Sequence, residues 1–300
     1  MPGCYASFHK QLGDLVLLEP ALSKLSGHHG APVRLLTRNG HADLARLMSG
    51  VAVGRGFPLS RASCAYCFDP LNKSALRSLL APVRSRRLIV PERRELRWYH
   101  PILFPQDANP ELGEDYVAEF FWQNTPVPSQ SAFRPPILAP PPEDWAPREK
   151  PPKGFVLLNP TAGWKKKMWT AEGWTQVLRA IGHSPVVITS AAADWQIAHA
   201  SDVCQAAGAT MLCTSLREFL WLCANASLVL TVDGSASHLA SAFGVPCFTL
   251  FGPTSRSNWH RPNPRHQAFQ APPDQDGLRR LRKLPAGPVV EAVREFVRSL

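Results

Sequence analysis

The feature that most constrains this 300-residue chain is a strand–loop–helix–strand–loop pattern at residues 231–254, TVDGSASHLASAFGVPCFTLFGPT. The apolar, β-branched run at residues 228–232 predicts a buried strand. Small and apolar residues at 237–243 predict a helix, and a second apolar run at 247–251 predicts another buried strand. Strand, crossover helix and strand form a parallel βαβ unit, so both strands have their carboxyl ends at one edge of a sheet.

Polar residues collect where these two strands end. The first strand is followed by Asp233-Gly234-Ser235 and the second by Gly252-Pro253-Thr254, with His238 on the intervening helix. Open α/β sheets bind ligands at this edge, and a nucleoside diphosphate suits such loops. Taken singly, Gly252-Pro253-Thr254 also fits an ordinary turn, and Asp233 fits a helix N-cap. The presence of both loops at one edge favours a ligand site.

A lysine-rich loop occupies the same kind of position. Residues 159–169, NPTAGWKKKMW, lie between a predicted strand at 155–158 and a predicted helix at 171–181. Thr161 and Lys167 therefore lie between a strand's carboxyl end and a helix N-terminus, whose free amides favour an anion. Phosphate is the natural complement, and a flexible basic loop is the alternative. The loop is not a Walker loop, because the pattern GxxxxGK[ST] is absent.

The chain divides at a proline-rich segment, residues 126–153, which holds ten of its 30 prolines. Proline disfavours both helices and strand pairing, so this segment is interpreted as a linker. Strands alternate with helices on both sides of it, which predicts parallel sheets covered by helices. We therefore predict an α/β protein with Rossmann-like domains at 1–150 and 151–285, followed by a C-terminal helix at 286–300.

Composition narrows the class of protein. There is no run of about 18 apolar residues and no signal-peptide pattern, which favours a soluble, cytoplasmic protein. Seven cysteines do not form a disulfide framework, and the pair Cys64-x-x-Cys67 lacks the second pair that a zinc site needs. The formal net charge of +10 favours anionic partners, but no recognised nucleic-acid motif is present.

Several short motifs then occur in order along the chain. They are Leu12-Gly13-Asp14 with Pro20-Ala21-Leu22, Lys167-Met168-Trp169, Asp233-Gly234-Ser235-Ala236-Ser237-His238-Leu239-Ala240, Gly244-Val245-Pro246 and Leu250-Phe251-Gly252-Pro253-Thr254. This ordered set resembles glycosyltransferase family nine, the family of the ADP-heptose:lipopolysaccharide heptosyltransferases. The resemblance implies the GT-B architecture, with two facing Rossmann-like domains. It also implies that the second domain mainly holds the donor and the first the acceptor, and that the C-terminal helix can pack back on the first domain.

The resemblance also implies roles for individual residues. Asp14 would be the general base of an inverting transfer, beside Gly13 on the acceptor side. The implied donor-binding residues are Thr161, Lys167, Asp194, Thr214, Asp233, Gly234, Ser235, His238, Gly252 and Thr254. Within this set, Lys167 would hold the diphosphate, Asp194 the ribose, and Thr214 would line the nucleobase. No metal or other cofactor is expected, and Asp274-Gln275-Asp276 is interpreted as an exposed loop rather than a manganese site.

The expected activity is transfer of heptose or a related sugar from a nucleotide-diphosphate donor, ADP-heptose, to a lipopolysaccharide core or similar acceptor. A phosphorylated, lipid-linked acceptor and peripheral contact with the anionic inner membrane agree with the basic charge. The alternatives are a sugar-nucleotide epimerase of the same fold and a non-catalytic paralogue that binds sugar nucleotide.

Two departures from the family pattern concern the proposed site. Many relatives have Asp-Ser/Thr-Gly where this chain has Asp233-Gly234-Ser235, so Ser235 would be strained if the third position required positive φ. Glu19 stands where relatives usually carry a small or hydroxyl residue before the proline, which is expected to alter the acceptor side.

Overall fold

The computed structural model describes residues 3–54, 61–69, 72–90, 102, 104, 111–129, 131–182, 186–190 and 193–300. The chain forms two compact units, Met1–Ala139 and Pro140–Leu300. The division falls inside the proline-rich segment at residues 126–153. In the described part of the chain, no helix combines the length and the apolar character that crossing a bilayer requires.

The first unit contains a five-stranded parallel sheet in the order β3-β2-β1-β4-β5. Its described elements are β1 (Tyr5–Ser7), α1 (Leu12–His29), β2 (Val33–Leu36), α2 (Ala42–Arg46), β3 (Val51–Gly54), β4 (Ala62–Cys67), α3 (Asn72–Leu80), β5 (Val83–Leu88) and α4 (Val117–Asn124).

The second unit contains a six-stranded parallel sheet in the order β11-β10-β9-β6-β7-β8. Its described elements are β6 (Val156–Asn159), α5 (Ala171–Ile181), β7 (Val186–Ser190), α6 (Asp194–Ala207), β8 (Thr210–Cys213), α7 (Leu216–Asn225), β9 (Leu228–Val232), α8 (Ser235–Phe243), β10 (Cys247–Phe251), α9 (Arg256–Trp259), β11 (His266–Gln270) and α10 (Ala286–Arg298).

Both sheets are wound in the same way. Each begins with an inner strand, β1 or β6, extends to one side, and then returns to the other side with β4 or β9. This reversal creates a topological switch point between β1 and β4 in the first sheet and between β6 and β9 in the second. Loops at the carboxyl ends of the strands diverge at such a point and leave a crevice that ligands occupy.

The buried helix α1 explains the departure at Glu19. Glu19 is 0% exposed, and its carboxylate pairs with the Arg134 guanidinium through two contacts of 2.8 Å. The backbone N–H of Ile137 donates to the same carboxylate at 3.1 Å. Glu19 therefore fastens the proline-rich segment onto α1. A buried carboxylate requires such partners.

The C-terminal helix α10 contributes to the core of the second unit. Its buried face contains Val289, Val293 and Phe296, and the rings of Phe296 and Phe248 are 5.8 Å apart. This face therefore stabilises the second sheet. The expectation that the helix also packs on the first domain is not tested by these contacts.

Four strands were not expected from the sequence: β3, β4, β8 and β11. The sequence of β4, ASCAYC, has no β-branched residue, but the strand is buried between β1 and β5. Its position in the sheet therefore overrides weak local propensity.

Candidate functional site

Three of the expected donor-side residues meet at the switch point of the second sheet. Lys167 lies in the loop after β6, Asp233 directly follows β9, and Thr254 lies in the loop after β10. Asp233 Oδ2 accepts a hydrogen bond of 2.5 Å from Lys167 Nζ and another of 2.5 Å from Thr254 Oγ1. Residues from three separate loops therefore form one cluster.

The Asp233 carboxylate is almost completely removed from solvent. Its side chain is 3% exposed, and that of Lys167 is 17% exposed. Burial of a carboxylate is costly unless a cation and hydrogen-bond donors satisfy it, as Lys167 and Thr254 do here. The ammonium carries three N–H bonds, so its contact with Asp233 fixes a cation that has further donors for an anion.

Polar side chains also link the strand ends beneath this cluster. Thr231 Oγ1, on β9, donates to the carbonyl of Asn159 on β6 at 3.0 Å. Asn159 Nδ2 in turn donates to Thr189 Oγ1 on β7 at 3.1 Å. These buried bonds fix the relative positions of the strands that carry the site, since a buried polar group that loses its partner is costly.

His238 lies one turn into α8, close to the same cluster. Burial lowers the pKa of His238 from 6.5 to about 4; the Lys167 charge adds to this effect, and the Asp233 charge opposes it. The imidazole is therefore neutral near pH 7 and can serve as a hydrogen-bonding group, but not as a fixed cation. Its ring lies 6.2 Å from that of Trp259.

The lysine-rich loop is organised by two tryptophans with different roles. Trp164 is 62% exposed, and the Lys167 ammonium lies 5.2 Å from the centre of its ring. Trp169 is buried and donates from Nε1 to the carbonyl of Leu284 at 2.9 Å. One ring thus contacts the cation, while the other anchors the end of the loop in the core. This order argues against the alternative of a flexible basic loop.

Thr161, Gly234 and Gly252 adjoin the cluster through their backbones. A Cβ placed on Gly234 would lie 3.9 Å from the Thr161 carbonyl oxygen, so the loop after β6 runs beside the N-terminus of α8. A Cβ on Gly252 would lie 2.9 Å from Leu281 Cγ, closer than packing allows. Gly252 therefore permits the close approach that carries the chain from β10 to Thr254.

The expected strain at Ser235 is absent. Gly234 is the N-cap of α8 in an extended conformation, with φ −176° and ψ −172°, and Ser235 is the first helical residue. Among the residues that the structure describes, only glycines have positive φ. The exchange of the hydroxyl residue and glycine is therefore accommodated because α8 begins two residues earlier than the expected start at 237. Because Gly234 occupies the N-cap position of α8, Asp233 is not its N-cap.

The two residues proposed for the nucleoside lie further along the same edge. Asp194 is the exposed first residue of α6, after β7, and Thr214 is half-buried between β8 and α7. Because β7 and β8 are parallel to β6, these residues share its carboxyl edge. With the diphosphate at Lys167, the ribose and then the nucleobase of a nucleotide would reach Asp194 and Thr214 in that order. The contacts of these two residues with a nucleotide remain a prediction.

Asp14 lies near the start of α1 and has a structural contact of its own. Its Oδ2 accepts from the backbone N–H of Gln11 at 3.3 Å, and the Gln11 side chain in return accepts from the Asp14 backbone, which forms a capping box. Asp14 is half-buried, and the neighbouring Gly13 is buried. The capping contact orients the carboxylate, and its role as a base remains a prediction.

The first sheet contains a buried polar cluster that was not identified from the sequence. Asp69 Oδ2 accepts from the His9 backbone N–H at 2.6 Å and from Ser74 Oγ at 2.7 Å, and Arg77 Nη1 donates to His9 Nε2 at 3.0 Å. Asp69 follows β4 as Asp233 follows β9. The available signal was therefore a carboxylate at a strand end, which was missed because β4 itself was missed.

The acidic triplet near residue 275 is held by basic side chains. Asp274 Oδ2 lies 2.7 Å from Arg280 Nη1 and 3.3 Å from Lys283 Nζ, and Asp276 lies 2.8 Å from the same arginine. Among the described residues, no three His, Cys, Asp or Glu side chains are grouped so that they could hold a metal ion. Burial raises the pKa of the Cys67 thiol to about 12, so it is protonated near pH 7 and is a poor metal ligand.

The fold is shared with solved glycosyltransferases. E. coli ADP-heptose lipopolysaccharide heptosyltransferase II matches with a TM-score of 0.78 at 15% identity, covering 99% of this chain and 98% of that one. E. coli heptosyltransferase WaaC with ADP matches with a TM-score of 0.75 at 16% identity, covering 98% and 99%. A candidate UDP-N-acetylglucosamine 2-epimerase from Listeria monocytogenes matches less well, with a TM-score of 0.53 at 11% identity over 99% and 88%. With two parallel-sheet units, these similarities confirm the GT-B fold class.

The sequence of the second unit matches a family model. Residues 139–282 match the model of glycosyltransferase family 9 (heptosyltransferase). No curated protein matches this chain. The matched region contains the whole Lys167–Asp233–Thr254 cluster. The resemblance found in the ordered motifs is therefore confirmed, and so is the prediction of a glycosyltransferase.

Proposed function

We propose that this protein transfers a heptose or related sugar from ADP-heptose to a lipopolysaccharide-type acceptor with inversion at the anomeric carbon. The observation that carries the proposal is the Lys167–Asp233–Thr254 cluster at the switch point of a family 9 domain. A cation fixed at this edge suits a departing nucleoside diphosphate, because it stabilises the negative charge that develops as the glycosidic bond breaks. E. coli heptosyltransferase WaaC, which has this fold and was solved with ADP, supports this donor.

In this mechanism Lys167 contacts the diphosphate, and the Thr254 loop and the amides at the start of α8 add donors. Neutral His238 donates to or accepts from the sugar or phosphate oxygens. Basic side chains and helix amides thus supply the charge stabilisation, so we propose that transfer needs no metal ion. Addition of EDTA should leave the rate unchanged, and a loss restored by one divalent ion would contradict this.

Asp14 is the proposed base, which accepts the proton of the acceptor hydroxyl as oxygen attacks the anomeric carbon. Asp14→Asn should lower the rate of transfer by about a hundredfold or more, since general base catalysis is worth this amount. ADP-heptose binding, measured by calorimetry, should persist. Gln11→Ala is the matched control, because it removes the side-chain half of the capping box and keeps both the Asp14 carboxylate and its backbone donor. If both variants lose activity equally, Asp14 acts through α1 and not as a base.

The epimerase alternative predicts a different product. An epimerase rearranges its sugar nucleotide without an acceptor, whereas a transferase needs one. ADP-heptose incubated with the protein alone should therefore be recovered unchanged, apart from slow hydrolysis, when analysed by NMR. A new ADP-sugar epimer would overturn the proposed transfer.

We also propose that the protein is cytoplasmic and contacts the anionic inner membrane through α3. Leu76 and Leu80, one turn apart on this helix, are 50% and 54% exposed, and exposed Arg84 follows in β5. Apolar side chains beside a basic one suit a surface of anionic lipid. Sedimentation with phosphatidylglycerol vesicles should weaken in the variant Leu76→Ser/Leu80→Ser. It should not weaken in Leu278→Ser, which changes a leucine 51% exposed in the second unit.

A further inference from the structure

The buried cluster of the first sheet defines the protonation of its histidine. Ser74 has one hydroxyl hydrogen, and the Asp69 carboxylate accepts it at 2.7 Å. Ser74 Oγ is therefore the acceptor in its 2.5 Å contact with His9 Nδ1. This network assigns His9 as the neutral tautomer with hydrogen on Nδ1 and a lone pair on Nε2. Arg77 Nη1 donates to that lone pair at 3.0 Å.

The hydrogen bonds that hold Arg77 in place come from one nitrogen, Nη1. Nη1 also donates to the Thr37 carbonyl at 3.3 Å. Within the described part of the chain, Nε and Nη2 of Arg77 have no hydrogen-bond partner, and the side chain is half-buried. These two atoms carry the remaining three N–H bonds of the guanidinium, in the fork that binds carboxylate or phosphate.

The position of Arg77 is that of a ligand site. His9 follows β1, Thr37 follows β2 and Asp69 follows β4, so the cluster occupies the carboxyl edge of the first sheet at its switch point. His9, Ser74 and Asp69 are all at least 97% buried. Thr37 Oγ1, also buried, is a second polar atom at this edge without a partner among the described residues.

The charge arrangement distinguishes this site from a structural salt bridge. An arginine that only fastens the fold usually has its fork closed by a carboxylate, as Glu19 closes that of Arg134. Here the Asp69 carboxylate is separated from Arg77 by His9 and Ser74. The acidic charge stabilises the arginine through the intervening hydrogen bonds without occupying its fork.

We propose that Arg77 binds a phosphate or carboxylate group of the acceptor, and that His9 is a positioning residue that aims the guanidinium. The assignment of this anion to the acceptor rests on the proposed function. The site itself does not, because its geometry is contained in the first unit.

The direct test is a titration of the full-length protein followed by ¹⁵N NMR of arginine Nε–H groups, with the Arg77 signal assigned by its loss in Arg77→Lys. A Lys167→Met background removes the proposed anion ligand of the second unit. Inorganic phosphate and acetate are added separately, so that the two anion classes are distinguished. The Arg77 signal should move on addition of at least one. Arg61→Met is the matched control, because it removes an exposed arginine directly before β4, at the opposite edge of the sheet.

In the same Lys167→Met background, affinity for the responding anion is measured by calorimetry. It should fall about tenfold in Arg77→Met, the loss expected when a charge-assisted contact is removed, and should not fall in Arg61→Met. With Lys167 restored, Arg77→Met should raise the acceptor KM but leave the donor KM unchanged. His9→Phe should weaken anion binding less, since Arg77 remains but is no longer aimed. An Arg77 signal that moves with neither anion, or affinities that Arg77→Met leaves intact, would overturn the site. Anion binding without transfer would refute the proposed function and leave the site standing.

Discussion

The two sheets place a buried aspartate at the same topological position and surround it differently. Asp233 follows β9, beside the first strand of its sheet, and Asp69 follows β4 in the corresponding place. Asp233 contacts the Lys167 ammonium directly. Asp69 instead contacts a hydroxyl and a backbone amide, and a neutral histidine stands between it and Arg77. In the second sheet the aspartate thus contacts Lys167 directly, and in the first sheet Asp69 is linked to Arg77 through Ser74 and His9.

This difference has a functional consequence. A cation paired directly with a buried carboxylate is held firmly, but it shares its charge with that carboxylate. An arginine held through neutral groups retains more of its charge for a ligand. The arrangement around Arg77 in the first sheet therefore suits a site in which the charge of the arginine itself binds the anion. The arrangement in the second sheet suits Lys167, which also has the helix N-terminus of α8 beside it.

The largest effect is expected from removing the cation that pairs with Asp233 in the second sheet. Lys167→Met should lower the rate of transfer by about a hundred- to a thousandfold, because it removes the cation that stabilises the leaving group. It should also lower the free energy of unfolding by about 3 kcal/mol, because it leaves Asp233 as a buried charge.

The double variant Lys167→Met/Asp233→Asn distinguishes these two losses. Removal of the unpaired carboxylate should restore most of the stability, measured by urea denaturation, while transfer stays low. Recovery of transfer together with stability would show that Lys167 only neutralises Asp233 and does not contact the donor.

The second prediction concerns the buried aspartate of the first sheet. Asp69→Ala leaves the His9 amide and the Ser74 hydroxyl without their acceptor, so the free energy of unfolding should fall by about 3 kcal/mol. Asp69→Asn keeps an acceptor oxygen and should cost less. An equal cost for both would mean that the negative charge of Asp69, and not its hydrogen bonding, maintains the cluster.

The sequence was sufficient where local pattern and chemistry coincide. The β9–α8–β10 segment is apolar and β-branched, ends in polar loops and carries the family motifs, so both of its strands were predicted correctly. The contact of Lys167 with Asp233 was not predicted, because it joins positions 66 residues apart in the chain. Only the parallel pairing of β6 with β9 brings their loops together.

The first sheet was less predictable for a physical reason. The strand β4, ASCAYC, contains no β-branched residue and one aromatic, Tyr66, and its burial between β1 and β5 is a tertiary effect that local propensity does not register. Without β4, neither Asp69 nor the switch point could be placed. The role of Glu19 was missed similarly, because Arg134, its partner, lies 115 residues away.

The third prediction uses the buried histidines of the second unit. Burial lowers the pKa values of His238 and His260 from 6.5 to about 4, whereas in the unfolded chain they titrate near 6.5. Between pH 6.5 and 4 the unfolded chain therefore binds protons that the folded protein does not, and stability falls as the pH is lowered. Each histidine should cost on the order of 2 kcal/mol at pH 5.

His260→Phe should flatten this pH dependence. His260 Nε2 is buried without a partner among the described residues, so the substitution removes both a titrating group and an unsatisfied nitrogen. The control His28→Gln changes an exposed histidine of α1. Melting temperatures at pH 5 and pH 7 should differ less in His260→Phe than in the wild type or in His28→Gln. An unchanged difference would place the acid sensitivity elsewhere, including at His41 of the first unit, whose pKa burial also lowers to about 4.

The smallest effect is expected at Thr254, which donates the second hydrogen bond to Asp233. Thr254→Val should lower the free energy of unfolding by about 1 kcal/mol and weaken donor binding by about fivefold, whereas Thr254→Ser keeps the hydroxyl and should lose little. Ser74→Ala is the corresponding change in the first sheet, where the hydroxyl links Asp69 to the His9 ring. Because Asp233 still has Lys167 when Thr254 is lost, Thr254→Val should affect the donor site less than Ser74→Ala affects the acceptor KM. The reverse order would mean that the separation of charges in the first sheet does not position Arg77 for a ligand.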